Sequence, residues 1–153
     1  MEDQRNQKLN KTIFIDADIF VASVRTDDTS HTPAKDLYQT LEGEPVTFVT
    51  SNYVFAEAVT VISQRVSHAA AIEFAHTVRS AQSPIRILWL DEAIAELALD
   101  IFAQQTSKNV SFVDCTTMAL AERSSIDYIF SFDKVFKQRG YHLVQELVEH
   151  RAA

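Results

Sequence analysis

The sequence predicts an α/β domain built on a central, mainly parallel sheet of four to five strands. Three observations carry this prediction. Short apolar runs rich in Ile, Val and Phe alternate with longer stretches of helical period, the mark of repeated strand–helix units. The runs suit strands buried on both faces, so helices must cover both sides of the sheet. A chain of 153 residues, 46% hydrophobic and 23% charged, suffices for one core, and it shows no repeat, low-complexity tract or interdomain linker.

A polar N-terminal tail is expected over 1–11, a single domain over 12–148 and a C-terminal tail over 149–153. TIFI reads as the first strand and leads into a helical stretch, DIFVASV. Pro33 marks a helix start, and PAKDLYQTLEG ends at Gly43, a suitable C-cap. VTFVT is the second strand, and SNYVFAEAVTVISQR is a long helix that Ser51 or Asn52 can cap. SHAAAIEFAHTVRSAQ is a further helix and IRILWL a third strand. DEAIAELALDIFAQQ is a helix whose first-turn acids suit the helix dipole. SFVDCTTMALAERS is another helix, IDYIFSF a fourth strand and YHLV a short last strand.

Several function classes fall away on composition. Cys115 is the only cysteine, which rules out an intramolecular disulfide and a thiolate zinc site. With only Gly43 and Gly140, the chain has no P-loop and no dinucleotide fingerprint. The five histidines include no pair three to five residues apart, the spacing zinc sites use. No apolar run approaches a membrane span and the start lacks a secretory hydrophobic region, so a soluble, cytoplasmic protein is expected. The formal charge of -7 argues against a broad basic surface for nucleic acid, although bound divalent metal can reverse a local field.

Four acids stand in unexpectedly apolar settings. Asp16 closes the first strand and Asp133 follows the fourth, which places both at the carboxyl end of a parallel sheet, where reactive groups gather. Glu57 shares its helical side with Tyr53, Val54, Thr60 and Val61, and Asp114 with Val110, Ser111, Thr117 and Met118. Each has an ordinary reading as well: Asp16 or Asp18 as an N-cap, Asp114 as a first-turn acid, Asp133 as a turn residue, Glu57 as an amphipathic side chain. One account covers all four together, a carboxylate cluster that holds a hard cation such as magnesium or manganese. Such a cation lowers the pKa of a bound water and stabilises the charge that develops on a phosphodiester.

IFIDADIFVA, SNYVFAEAVTVI, SFVDCTTMALAE and IFSFDKVFKQRGY, in this order and spacing, resemble the PIN-domain nucleases, and among them the VapC-type toxins of toxin–antitoxin systems. The resemblance runs from about Thr12 to Val144 and implies a PIN-like α/β/α sandwich and a metal-dependent endoribonuclease. It also implies a homodimer, an antitoxin partner, an RNA substrate and Mg2+ or Mn2+. The family's acidic positions fall on Asp16, Glu57, Asp114 and Asp133. Asp16 and Asp114 would be the principal ligands; Glu57 and Asp133 would complete the shell, and Glu57 would help deprotonate the attacking water. The family often has Ser, Thr or Asn two residues beyond its first acid, where this chain has Asp18, a ligand or a helix cap. Ser131 matches a hydroxyl position and would orient Asp133 or a metal-bound water. Lys134, Lys137 and Arg139 follow closely and are candidates for RNA phosphates.

Two other classes share features with the chain. The DAD triplet fits the Asp-x-Asp pattern of haloacid-dehalogenase-like phosphatases, with Asp16 as nucleophile and Asp18 as acid, but Phe20 replaces the expected Thr or Val and no late GDxxxD is present. A non-catalytic PIN-like module that binds RNA or protein is the other.

Overall fold

The structure, a computed structural model, describes residues 10–152, so nearly all of the expected N-terminal tail and Ala153 lie outside the described residues. In chain order the elements are β1 (Lys11–Ile15), α1 (Ala17–Val24), α2 (His31–Leu41), β2 (Val46–Ser51), α3 (Asn52–Arg65) and α4 (His68–Arg79). They continue with β3 (Ile85–Leu88), α5 (Glu92–Ala103), α6 (Phe112–Arg123), β4 (Tyr128–Phe130), α7 (Val135–Gln138) and α8 (Val144–Ala152).

The strands form one parallel sheet in the order β3-β2-β1-β4, with helices packed against it as an α/β/α sandwich. Ile13 and Phe14 of β1 are fully buried, and Ile15 nearly so, because this strand has neighbours on both sides and helices over both faces. Phe14 lies opposite Val49 on one side and Ile129 on the other. β3 is an edge strand, and its Arg86 is exposed. The chain steps outward from β1 through β2 to β3, then returns to the far side of β1 as β4. This reversal opens a crevice between the carboxyl ends of β1 and β4, where open α/β sheets bind ligands. The Asp16 N–H donates to the Phe130 carbonyl (3.0 Å), carrying the β1–β4 pairing up to the first candidate acid.

Local chemistry sets the element ends. Ser51, Ser67, Asp91 and Ser111 cap α3, α4, α5 and α6, each accepting a backbone N–H with its side chain. Of the two candidate caps for α3, Ser51 takes the role and Asn52 is the first helical residue. α2 begins at His31, ahead of Pro33, because proline is tolerated within a first turn whose N–H groups have no helical acceptor. Gly43, just past the C-cap Glu42, adopts a φ of 76°, a left-handed conformation that favours glycine.

Three expectations need correction. The third strand is shorter than IRILWL: it stops at Leu88, and Trp89 leaves the sheet 69% exposed while the Leu90 N–H donates to Asn52 Oδ1 (3.0 Å). YHLV is not a strand. Leu143 makes a single parallel bridge with Ile129, and Val144 already starts α8. The C-terminal segment is therefore not a tail: α8 runs to Ala152, with Val144 and Leu147 buried at helical spacing and Arg151 paired with Glu44 (2.9 Å). The apolar pair Leu143 and Val144 reads as a strand only when the period continuing to Leu147 is ignored.

Because Leu147 is buried against the core, Leu147→Ala is expected to lower the unfolding free energy by about 2–4 kcal/mol, as a cavity left by a lost leucine does. Urea denaturation with an unchanged midpoint would show that α8 is dispensable to the domain.

Candidate active site

Asp16 is the first residue after β1 and the N-cap of α1. It is buried, and both its oxygens are engaged: Oδ1 accepts the Ala17 N–H (2.9 Å) and Oδ2 accepts the Ser131 hydroxyl (2.8 Å). Ser131, itself buried after β4, accepts the Asp133 N–H (3.0 Å) on the same hydroxyl oxygen, so one side chain links the ends of β1 and β4. The cap of α1 is Asp16 and not Asp18. Asp18 Oδ2 accepts the Phe132 N–H (2.8 Å), whereas Asp18 Oδ1 is buried without a hydrogen-bond partner.

Asp114 is the first-turn acid anticipated for its helix. Within a capping box, its Oδ2 accepts the Ser111 N–H (2.9 Å) while the Ser111 hydroxyl accepts the Asp114 N–H (3.0 Å). Glu57 is half-buried in the second turn of α3. Asp133 is exposed, and its Oδ1 accepts the Val135 N–H (3.0 Å) at the start of α7.

These acids line one cleft of about 560 Å³. Asp16, Asp18, Glu57, Asp114 and Asp133 all face it. Its floor is apolar where Val21 and Ala22 of α1 meet Val61 of α3. Arg65, Asp28, Ser30, Asn109 and Ser111 also line it, with Ala17 and Phe132. Lys134, Lys137 and Arg139 do not line it; they are exposed on and beside α7. Arg65 was legible in principle, since Glu57, Val61 and Arg65 recur at helical spacing on one face. Asp28, Ser30 and Asn109 lie in loops, where no period places them.

The electrostatics are those of crowded, poorly hydrated carboxylates. Burial and then the neighbouring Asp18 charge push the Asp16 carboxyl up to about 8, against the opposing hydrogen bonds from Ser131 and Ala17. Burial likewise raises Asp18 to about 6, with Asp133 adding to the effect against hydrogen bonds that include the Phe132 N–H. Glu57 is raised by burial, then by Asp114 and Asp18; Asp114 is raised by burial and by Asp133, against the Ser111 hydrogen bonds. Among the described residues, no three His, Cys, Asp or Glu side chains converge within a metal's own ligand shell. The acids thus share a cleft rather than a point. Such spacing suits an ion that keeps several waters and takes one or two carboxylates directly, as magnesium does. The unpartnered Asp18 Oδ1 and the mutual repulsion of the acids supply the unmet negative charge that a cation would neutralise.

The PIN domain family model matches residues 13–140, and the chain belongs to that family. It is 28% identical over 129 residues to the 23S rRNA-specific endonuclease VapC20 of Mycobacterium tuberculosis, covering 84% of this chain and 95% of the relative. The crystal structure of that protein, described as a toxin that cleaves the sarcin–ricin loop, superposes with a TM-score of 0.76 at 27% identity, over the same shares of the two chains. VapBC2 from Rickettsia felis, solved with a promoter DNA fragment, aligns with a TM-score of 0.56 at 13% identity over 86% of this chain and 96% of its own, a likeness of fold. Family membership sets aside the phosphatase reading of the Asp16–Asp18 pair.

The raised carboxyls make stability depend on pH with a definite sign. A folded pKa above the unfolded value means that the folded state binds more protons, so this contribution is complete below about pH 4 and is lost as pH rises through about 6 for Asp18 and about 8 for Asp16. In chelator, the melting temperature is expected to fall between pH 5 and pH 8.5, and Asp16→Asn is expected to flatten that fall. Parallel slopes for wild type and mutant in thermal melts would show that Asp16 is not the titrating group.

Proposed function

We propose that this chain is a metal-dependent endoribonuclease of the VapC type, the toxin of a VapBC-type toxin–antitoxin pair, in which Asp16, Glu57, Asp114 and Asp133 form the catalytic centre. The observation that carries the reading is the gathering of these acids, from four separate segments, on one cleft at the crevice between β1 and β4.

Asp16 and Asp114 are the principal ligands, with Glu57 and Asp133 completing the shell directly or through water. Magnesium or manganese held there supplies the positive charge that acidifies a water and stabilises the phosphodiester as negative charge builds on it. Ser131 fixes the Asp16 carboxylate, and the unpartnered Asp18 Oδ1 adds negative charge to the same cleft. Glu57, half-buried and with its proton affinity raised, takes the proton from the attacking water as the new P–O bond forms and the P–O bond to the leaving ribose oxygen breaks, that oxygen taking its proton from solvent. The capping box holds Asp114 to one orientation, so it loses little rotamer freedom when it engages a ligand.

An RNA substrate follows from the relative that acts on 23S rRNA. An antitoxin partner and a homodimer complete the proposal, which the exposed apolar side chains Trp89, Leu99 and Phe102 support as protein-facing surface. Among the described residues no helix is long and apolar enough to cross a membrane, in keeping with a cytoplasmic site of action.

Purified protein is expected to cleave RNA, with ribosomal RNA containing the 23S species among the substrates tested, when magnesium or manganese is present and not in EDTA. Asp16→Asn and Asp114→Asn are each expected to lower the rate by at least about a hundredfold, the size of effect seen when an electrostatic element of a site is removed. Full activity in EDTA would overturn the metal mechanism. RNA binding without cleavage by wild type under all metals would leave a non-catalytic module.

A further inference from the structure

The cleft has a polarity that the carboxylate cluster does not explain. Asp16, Asp114 and Asp133 lie by the crevice between β1 and β4, Val21, Ala22 and Val61 supply an apolar floor, and Arg65 is the Lys or Arg side chain among the lining residues, with Asp28 the further acid. Glu57, Val61 and Arg65 follow one another at four-residue intervals along α3, so Arg65 sits about 12 Å along the helix axis from Glu57. Its guanidinium has no ion-pair partner within 4 Å among the described residues. Asp28, which also lines the cleft and feels the Arg65 charge, accepts the Ser30 N–H (2.8 Å) and pairs with Arg25 (3.6 Å). An exposed arginine with no ion pair within 4 Å has donors free for an incoming anion.

We propose that Arg65 binds a backbone phosphate of a single RNA strand that runs along α3, away from the scissile phosphate at the acidic end, with an unpaired nucleotide lying over the apolar floor between them. The proposal rests on the ribonuclease reading and extends it from the reaction to the way the strand lies. The spacing fits a strand because a phosphodiester chain repeats its negative charge, and the groove meets that repeat with cation-demanding acids at one end and a guanidinium at the other. The floor favours an unpaired nucleotide, since a nucleobase buries apolar area against Val61 and Ala22 that a paired base keeps within its stack. Arg65 is thus a positioning residue: it touches the substrate backbone and not the reacting atoms. A planar fork matches phosphate oxygens, so lysine should replace it only in part.

The test compares Arg65→Ala and Arg65→Lys with wild type on an extended single-stranded RNA and on a dinucleotide that carries only the scissile phosphate. On the long RNA, Arg65→Ala is expected to lower kcat/KM by about tenfold, mainly through KM, as the loss of one charge-assisted contact does. The slope of log affinity against log salt should shrink by about one contact's share. Arg65→Lys should recover part of the loss, and on the dinucleotide the three proteins should cleave alike. An equal loss on both substrates, or an unchanged salt slope, would overturn the strand path. Binding measured by fluorescence anisotropy in the Asp16→Asn background gives a readout that needs no cleavage. Arg65-dependent RNA binding by a wild type that never cuts would sustain the strand path and remove the ribonuclease reading. Binding indifferent to Arg65 would remove the strand path alone, and would leave this groove for a peptide.

Discussion

A carboxylate buried at the end of the central strand is the constraint on which the rest of this structure depends. Asp16 follows three residues with almost no exposure, and an ion in that position is heavily disfavoured unless its oxygens are matched. The fold matches them with the Ala17 N–H and the Ser131 hydroxyl, one from the next helix and one from just past the neighbouring strand β4. Ser131 is held in turn, since the Gln145 amide of α8 donates to its carbonyl (3.0 Å). The C-terminal helix therefore supports the first acid through one intermediate residue. On the other side of β1, the Thr50 hydroxyl donates to the Ile15 carbonyl (2.9 Å), tying the strand end to β2 directly before Asp16.

Capping and chemistry are not alternatives for these acids. A carboxylate has lone pairs for about four hydrogen bonds, so an Asp can satisfy a helix N-terminus and still face a cleft. Asp16 and Asp114 both do this, one as a plain N-cap and the other within a capping box. The helix contacts restrict each side chain to one arrangement, and the sheet places the two helix starts on the same cleft. The cost of gathering them appears as raised proton affinity at Asp16, Asp18, Glu57 and Asp114, led in each of these by burial. A cation held at the cleft, as proposed, would relieve this crowding in the folded state only.

The charge distribution is as informative as the acids themselves. With a formal net charge of -7, the chain lacks a general basic surface for RNA. Under the proposed function, substrate contact would rest on a few placed cations together with the field inside the cleft. The cationic run after Asp133 lies on α7, outside the cleft wall, while Arg65 reaches the wall because α3 runs along it. A charge cluster close to an acid in sequence is thus not the one closest to the shared cleft.

Much of this was legible in the sequence because it depends on local period and residue type. The strand runs TIFI and VTFVT, the cap of α3 at Ser51 or Asn52, and the four acids in apolar settings each declare themselves within a few residues. Their order along the chain sufficed to suggest a family and a parallel sheet. What the sequence left open depends on partners distant in the chain. The reach of Ser131 across 115 positions to Asp16, the unmatched oxygen of Asp18, the continuation of the chain into α8 and the placing of Arg65 on the cleft have no local signature. They follow from the order β3-β2-β1-β4, which brings the ends of the first and last strands side by side. Periodicity reports which face of an element is buried, and only the packed sheet decides what lies opposite that face.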